Sequence, residues 1–197
     1  MMPRFLLFLV LAMCAVVPAR AQQDLFNPLA VGLRWDVDVE MQPKVGAATH
    51  GTAVREITGT EKVNNYTYFV VLTSFTGLPT MKDFTMYRRK SARGVYSFAA
   101  IDKDKLEHLE VVLPMTVGQS WKTLIFGRTI LSTVEAKETV KIGDKTYENC
   151  MKTSYQADDK SMSGTYYQAP DVGNVQEETK SGDVVFKFTL KKFSGLK

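Results

Sequence analysis

The sequence is poor in cysteine, in histidine and in recognisable catalytic motifs. Its 197 residues include two cysteines and two histidines. Two cysteines exclude a small domain held together by a disulfide network. Neither His50 nor His108 belongs to a metal-binding spacing such as HxxxH, and we expect His108 at an exposed strand position. No nucleophile elbow, P-loop or dinucleotide-binding motif is present, so we expect a protein that is not an enzyme and that needs no cofactor or metal.

Long apolar segments are also scarce, and the clearest one lies at the N-terminus. Arg4 precedes an uncharged run over residues 5–17, and Ala19-Arg20-Ala21 offers the small residues that signal peptidase accepts. We therefore predict a signal peptide over residues 1–21, cleavage after Ala21, and a location in the periplasm or outside the cell. The run is too short for an ordinary spanning helix, so no transmembrane anchor is expected after cleavage. A retained anchor and lipidation at Cys14 remain alternatives.

The charge balance is close to neutral once the leader is set aside. The whole chain has 25 basic and 21 acidic residues, with a net charge of +4. Without Arg4 and Arg20 the net charge is +2 over 176 residues. An exported domain with so small a charge and no nucleic-acid-binding module is not expected to bind nucleic acid. Cleavage also removes Cys14, which leaves Cys150 as a thiol that we expect to be buried and inert.

Alternation of apolar and polar residues recurs along the chain and predicts strands. Residues 35–41 place Trp35, Val37, Val39 and Met41 on one face, and residues 184–191 show the same pattern. Turn-forming residues such as Asn64-Asn65 separate such runs. The pattern predicts an all-β fold, which could be an antiparallel barrel, a half-barrel or a two-sheet sandwich.

A short motif with the pattern P-apolar-x-V-G-x-x-W occurs twice, at residues 28–35 and 114–121. It contributes Gly32 and Trp35 in the first copy and Gly118 and Trp121 in the second. Weaker matches follow each copy, which predicts two related β-meanders of about 80 residues, at about 28–101 and 114–193. We expect both to share one core in a single domain over residues 22–197. Each tryptophan could plug one end of that core or line a ligand mouth.

Residues 147–152 (YENCMK) and 166–175 (YYQAPDVGNV) add to this motif. Together the three segments resemble an uncharacterised family of bacterial secreted and lipoprotein-type envelope proteins. Its members share PLxxGxxW, GxFxNCxKV-like and YAPGVGxV-like motifs; here Asp171 replaces the usual glycine. The resemblance implies a β half-barrel, distantly similar to periplasmic carriers of lipoproteins and lipids. It brings no catalytic residues.

Two groups of basic residues are candidates for contacts. Four bases in six residues, at Arg88, Arg89, Lys90 and Arg93, predict a charged hairpin tip that is either solvated or in contact with anionic headgroups or an acidic partner. Lysines of the last strand are expected to guard an exposed sheet edge.

The leading hypothesis is an exported, non-catalytic β-protein of the bacterial envelope that binds or carries a hydrophobic or lipid-like ligand. The alternative is an accessory subunit that docks to an envelope protein complex through the basic hairpin or an edge strand.

Overall fold

A computed structural model describes residues 25–102, 104–125 and 127–195. The predicted leader and Cys14 lie outside these ranges. The described residues form twelve antiparallel strands, which confirms the all-β prediction. In chain order the strands are β1 (Arg34–Pro43), β2 (Thr49–Val63), β3 (Tyr66–Thr76), β4 (Phe84–Ser91), β5 (Gly94–Ala99), β6 (His108–Val112), β7 (Ser120–Ile125), β8 (Arg128–Ile142), β9 (Lys145–Ala157), β10 (Met162–Ala169), β11 (Gly173–Ser181) and β12 (Val184–Ser194).

One sheet contains all twelve strands and curves into a nearly closed barrel. Its order is β6-β5-β4-β3-β2-β1-β12-β11-β10-β9-β8-β7, so each strand pairs with its chain neighbour and β1 also pairs with β12. The edges of the sheet are therefore β6 and β7, which follow one another in the chain. The prediction that lysines of the last strand guard an edge is wrong, because β12 is paired on both sides, with β1 and β11. No helix long and apolar enough to cross a membrane occurs in the described ranges.

Turn residues with left-handed backbone connect the long strands. Asn64 and Asn65 have φ angles of 47° and 67° and form a two-residue turn between the paired residues Val63 and Tyr66. This is the geometry that two-residue hairpins favour, and asparagine tolerates it better than most residues. Asp171 has a φ of 60° in the turn between β10 and β11. A left-handed φ of this kind favours glycine, and aspartate is one of the few other residues that tolerate it.

The predicted alternation of β1 and β12 is present in the barrel wall. Val39 and Leu190 are 2% and 3% exposed. The pairing of the two strands slips between Asp36 and Val37, where a bulge interrupts the register. Bulges bend a strand and increase its twist, which helps a sheet to curve back on itself.

The main buried cluster draws on both halves of the chain. Leu33, Ile57 and Val71 from the first half pack with Cys150 and Leu190 from the second half. The barrel wall therefore does not divide into two separate cores in the described residues.

A second buried cluster closes the seam between β6 and β7. It includes Val111, Leu113, Trp121 and Val134. The indole Nε1 of Trp121 donates a hydrogen bond to the carbonyl oxygen of Glu110 at 3.2 Å. Because β6 and β7 are the unpaired edges of the sheet, side-chain packing takes the place of backbone pairing along this seam.

The two copies of the P-apolar-x-V-G-x-x-W motif have the same local geometry. Gly32 and Gly118 have φ angles of 90° and 86°. The amide of Gly32 donates to the carbonyl of Ile57 at 2.8 Å, and that of Gly118 donates to the carbonyl of Val134 at 2.8 Å. Each copy thus precedes the first strand of a six-stranded meander. The longer repeat of the two halves stays a prediction.

Candidate functional site: a two-part cavity inside the barrel

The inner face of the barrel surrounds a cavity with two adjoining parts. The first, called here the apolar compartment, has a volume of about 300 Å³. The second, called the polar compartment, has a volume of about 390 Å³. Apolar side chains characteristic of the first are Val37, Phe75, Met81, Phe186, Phe188 and Leu190. Side chains characteristic of the second are Arg88, Glu110, Thr123, Tyr155, Tyr166 and Gln168.

Strand alternation explains how both kinds of side chain reach the interior. On β12, Phe186, Phe188 and Leu190 are two residues apart and lie on one face. On β2, Ala53 and Arg55 follow the same period and both line the apolar compartment. The inward face of a single strand can therefore carry an apolar and a charged residue side by side.

Two of the four charged side chains in the cavity form an ion pair with each other. Nη2 of Arg88 lies 2.5 Å from Oε1 of Glu110. The two side chains come from β4 and β6, and about a quarter of each remains exposed, 21% and 26%. This pair lines the polar compartment on the side of the barrel near β6.

The carboxylate of Glu177 accepts hydrogen bonds from neighbours on its own strand. Asn174 Nδ2 donates to Glu177 Oε2 at 2.9 Å, and the hydroxyl of Thr179 donates to Glu177 Oε1 at 3.0 Å. The hydroxyl of Tyr155 is hydrogen-bonded in turn to that of Thr179. Burial, together with the negative charge of Glu177, raises the pKa of Tyr155, so that its phenol stays protonated and donates.

Arg55 differs from the other three charged residues because it has no partner among the described residues. Its guanidinium makes no hydrogen bond or ion pair within the parts of the chain that the structure describes. It lines both compartments. Burial and the positive charge of Arg88 lower the pKa of Arg55, and the negative charges of Glu177 and Glu110 oppose this. A positive charge therefore faces the cavity at the junction of its two parts.

Within the part of the chain that the structure describes, buried polar atoms without a hydrogen-bond partner are concentrated in the polar compartment. More than nine-tenths of buried polar groups in folded proteins are hydrogen-bonded, so such a concentration is typical of a surface that meets a polar ligand or ordered water. The atoms are Asn27 Nδ2, Thr73 Oγ1, Arg88 Nε, Glu110 Oε2, Thr123 Oγ1, Gln168 Oε1 and Asn174 Oδ1.

Gly164 makes room for the ring of Tyr155 on the inner face of β9 and β10. The two residues are paired across the strands. A Cβ atom at Gly164 would lie 2.4 Å from the carbonyl oxygen of Glu178 and 2.5 Å from the hydroxyl oxygen of Tyr155. Both distances are far below contact, so any side chain at this position must displace Tyr155 and shift the backbone.

Gly164→Ala is therefore expected to lower the free energy of unfolding by about 1–3 kcal/mol, the usual cost of overpacking. Urea denaturation followed by tryptophan fluorescence measures the change. Gly59→Ala is the matched control, because Gly59 also lies within a strand and a Cβ there meets nothing within 4 Å. Equal effects of the two substitutions would contradict the assigned role of Gly164.

The basic residues predicted to form one hairpin tip do not share a surface. Arg88 faces the polar compartment, whereas Arg93 lies exposed in the turn after β4. Lys90 Nζ donates to the carbonyl oxygen of Asn27 at 3.2 Å. Successive residues of a strand point to opposite faces, so Arg89 lies on the outer side of the wall. The prediction of a solvated tip is wrong for the three bases that belong to β4; a role of the four bases in headgroup or partner contact stays a prediction.

Arg89 is enclosed on the outer face by aromatic rings. Its guanidinium carbon lies 4.3 Å from the ring centre of Tyr66 and 4.6 Å from that of Tyr96. It also pairs with the carboxylate of Glu107, whose hydrogen bonds raise the pKa of Arg89. Glu107 precedes β6, so these contacts hold the connection between β5 and β6 against the sheet.

The two tryptophans of the motif lie in different surroundings. Trp35 is 8% exposed, lines both compartments, and donates from Nε1 to the carbonyl oxygen of Val172 at 2.7 Å. Trp121 lies in the packed seam cluster. Trp35 thus combines a structural hydrogen bond with a position in the cavity wall. The choice between plug and ligand mouth stays a prediction.

The remaining sequence candidates lie outside the cavity. Cys150 is fully buried, as expected, and burial raises the pKa of its thiol. His108 is not the exposed residue that its sequence context predicts: it is half-buried, hydrogen-bonded to Ser97 at 3.0 Å, and its pKa is lowered by burial. No cluster of three or more His, Cys, Asp or Glu side chains suited to a metal ion occurs in the described ranges.

Sequence reasoning missed Arg55 and Glu177, the two charges at the junction of the compartments. A signal for each was present. Arg55 stands between Ala53 and Ile57, at a position where the alternation predicts an inward apolar residue, and Glu177 follows Val175 in the same way. A charge at an inward position of an alternating strand is an uncommon pattern and indicates a polar interior.

Comparison with known proteins shows which solved structures this fold is similar to. No protein-family model matches the sequence, and no curated protein matches it. The chain is similar in structure to a presumed exported protein with a YmcC-like fold from Bacteroides fragilis, with a TM-score of 0.55, 14% sequence identity, and coverage of 87% of this chain and 99% of that one. A presumed lipoprotein from Parabacteroides distasonis aligns with a TM-score of 0.41 and 13% identity, over 87% of this chain and 100% of that one. At such identities the likeness to the first protein shows a shared fold.

Proposed function

We propose that this protein is an exported, non-catalytic binding or carrier protein that holds a hydrophobic or lipid-like ligand inside its barrel. The observation that carries the proposal is the apolar compartment. Phe75, Phe186 and Phe188 line it and remain only half-buried, although they lie on the inner face of the wall. Core phenylalanines are normally packed to the density of an organic crystal, so inner aromatic faces with accessible surface favour a ligand.

Size and energetics support an acyl chain as the ligand. Ligand pockets usually have volumes of roughly 300–1,000 Å³, a range that includes both compartments. Each methylene group that moves from water into an apolar site contributes about 0.8 kcal/mol. Export is proposed from the leader at residues 1–21 and agrees with the description of the Bacteroides protein as exported. Binding is proposed rather than catalysis because the sequence carries no recognised catalytic motif.

Native mass spectrometry tests the proposal on protein that is expressed with its own leader and purified from the envelope. We expect bound lipid, and after its removal we expect the protein to take up the uncharged fluorescent probe N-phenylnaphthylamine. Protein that carries no lipid and does not bind this probe would overturn the carrier function.

A pair of charge substitutions locates the binding. Phe186→Asp places a carboxylate on the wall of the apolar compartment and is expected to weaken probe binding at least about tenfold, because burying an unpaired charge is costly. Leu131→Asp is the matched control, since Leu131 is 45% exposed on the wall of β8 and does not line the two compartments. Circular dichroism confirms that both variants fold. Equal loss of probe binding in both would place the ligand elsewhere.

A further inference from the structure

The charges inside the cavity are unequally neutralised. Glu110 is paired with Arg88, and Glu177 accepts two hydrogen bonds from Asn174 and Thr179. Arg55 has neither an ion pair nor a hydrogen bond within the described ranges. Arg55 is half-buried in the cavity wall, where an unpaired charge is costly and is uncommon unless it meets a ligand. The partner that Arg55 lacks would be an anionic group.

The position of Arg55 is as informative as its lack of a partner. It lies in the middle of β2, where it is paired with Trp35 of β1 on one side and with Thr73 of β3 on the other. Strands on both sides hold its backbone rigidly. Its side chain lines both compartments, and so does that of Thr73, whose hydroxyl has no hydrogen-bond partner among the described residues. A ligand group bound to Arg55 would therefore lie directly beside the apolar compartment.

We propose that the ligand is an anionic amphiphile, whose carboxylate, phosphate or sulfate group binds the guanidinium of Arg55 while its alkyl chain occupies the apolar compartment. The inference rests on the proposed function and adds the chemical class of the ligand. A guanidinium presents a planar set of donors that matches such oxyanions in a bidentate fashion. A cationic headgroup fits less well, because Arg55 would repel it and the charge of Glu110 is already paired with that of Arg88.

A matched set of ten-carbon ligands tests the proposal by displacement of N-phenylnaphthylamine at neutral pH. Decanoate and decyl phosphate carry an anionic head, decanol is neutral, and decyltrimethylammonium is cationic. Inorganic phosphate supplies the anion without a tail. We expect decanoate and decyl phosphate to bind at least about tenfold more tightly than decanol, since a hydrogen bond to a charged group contributes more than a neutral one. Inorganic phosphate alone should not displace the probe.

Substitution of Arg55 tests whether this residue causes the preference for anionic ligands. Arg55→Met should remove the preference for the anionic head, so that decanoate and decanol displace the probe with affinities within about twofold of each other. The variant is expected to fold, since methionine replaces an unpaired charge with an apolar chain of similar length. Arg55→Lys keeps the charge and should retain part of the preference. Arg34→Met is the matched control, because Arg34 is 44% exposed at the outer end of β1.

The outcomes separate the two proposals. Three results would contradict the proposal of an anionic headgroup without contradicting the carrier function. They are equal affinity of the wild type for decanoate and decanol, an undiminished preference for the anionic ligands in Arg55→Met, and a preference for decyltrimethylammonium. If inorganic phosphate displaced the probe as effectively as decyl phosphate, the proposal that the ligand is an amphiphile would be wrong. Failure of every ligand and of the probe to bind would overturn the proposed function itself.

Discussion

Trp121→Ala is expected to lower the free energy of unfolding by about 3–5 kcal/mol, the usual cost of removing a buried aromatic side chain. Trp121 is 6% exposed and packs with Val111 and Val134 in the seam cluster. β6 and β7 share no backbone pairing, so no ladder of hydrogen bonds compensates for the lost ring. Guanidinium denaturation followed by far-ultraviolet circular dichroism measures the change.

Leu124→Ala is the matched control for this prediction. Leu124 lies on the same strand and is 64% exposed. Its truncation should change the free energy of unfolding by no more than about 0.5 kcal/mol, as is usual at the surface. A loss below about 1 kcal/mol for Trp121→Ala would mean that the seam does not depend on this side chain.

Arg88→Met is expected to cost about 2–4 kcal/mol, because it leaves the carboxylate of Glu110 in the polar compartment without its ion-pair partner. The estimate is below that for a fully enclosed pair, since about a quarter of each side chain is exposed and water screens the charge. Glu110 Oε2 already lacks a protein partner, so no described neighbour replaces the lost bond. Thermal and urea denaturation measure the effect.

The double variant Arg88→Met/Glu110→Gln checks the reason for this loss. Removing the charge together with its partner should restore at least half of the stability, because the penalty comes from the isolated carboxylate and not from the missing bond. A double variant that is as unstable as Arg88→Met, or less stable, would show that Arg88 acts through its packing.

Much of the fold could be predicted from local pattern. The alternation in residues 35–41 and 184–191 predicts two strands that the structure contains, and the pair Asn64-Asn65 predicts the turn between β2 and β3. Both signals depend on residues within a few positions of each other. Strand periodicity and turn geometry are properties of short segments, so a single sequence reveals them.

The candidate site could not be predicted in the same way. Arg88, Arg89 and Lys90 are consecutive and look like one basic cluster, yet Arg88 faces the cavity and Arg89 lies among tyrosines on the outer face. The sequence shows that neighbours in a strand alternate, but not which set faces inward when both sets are charged. The inward side is decided by the apolar residues of other strands that must share the core.

The sequence by itself therefore determined an all-β chain of short antiparallel strands with turns at asparagine, aspartate and glycine. Only the tertiary structure decided that β1 pairs with β12, which makes β12 an interior strand and turns the sheet into a nearly closed barrel. That closure brings Arg55 and Glu177, more than a hundred residues apart, to the junction of one cavity. The reason is physical: side-chain alternation follows from backbone geometry within a strand, whereas pairing between distant strands follows from the burial of apolar surface by the whole chain.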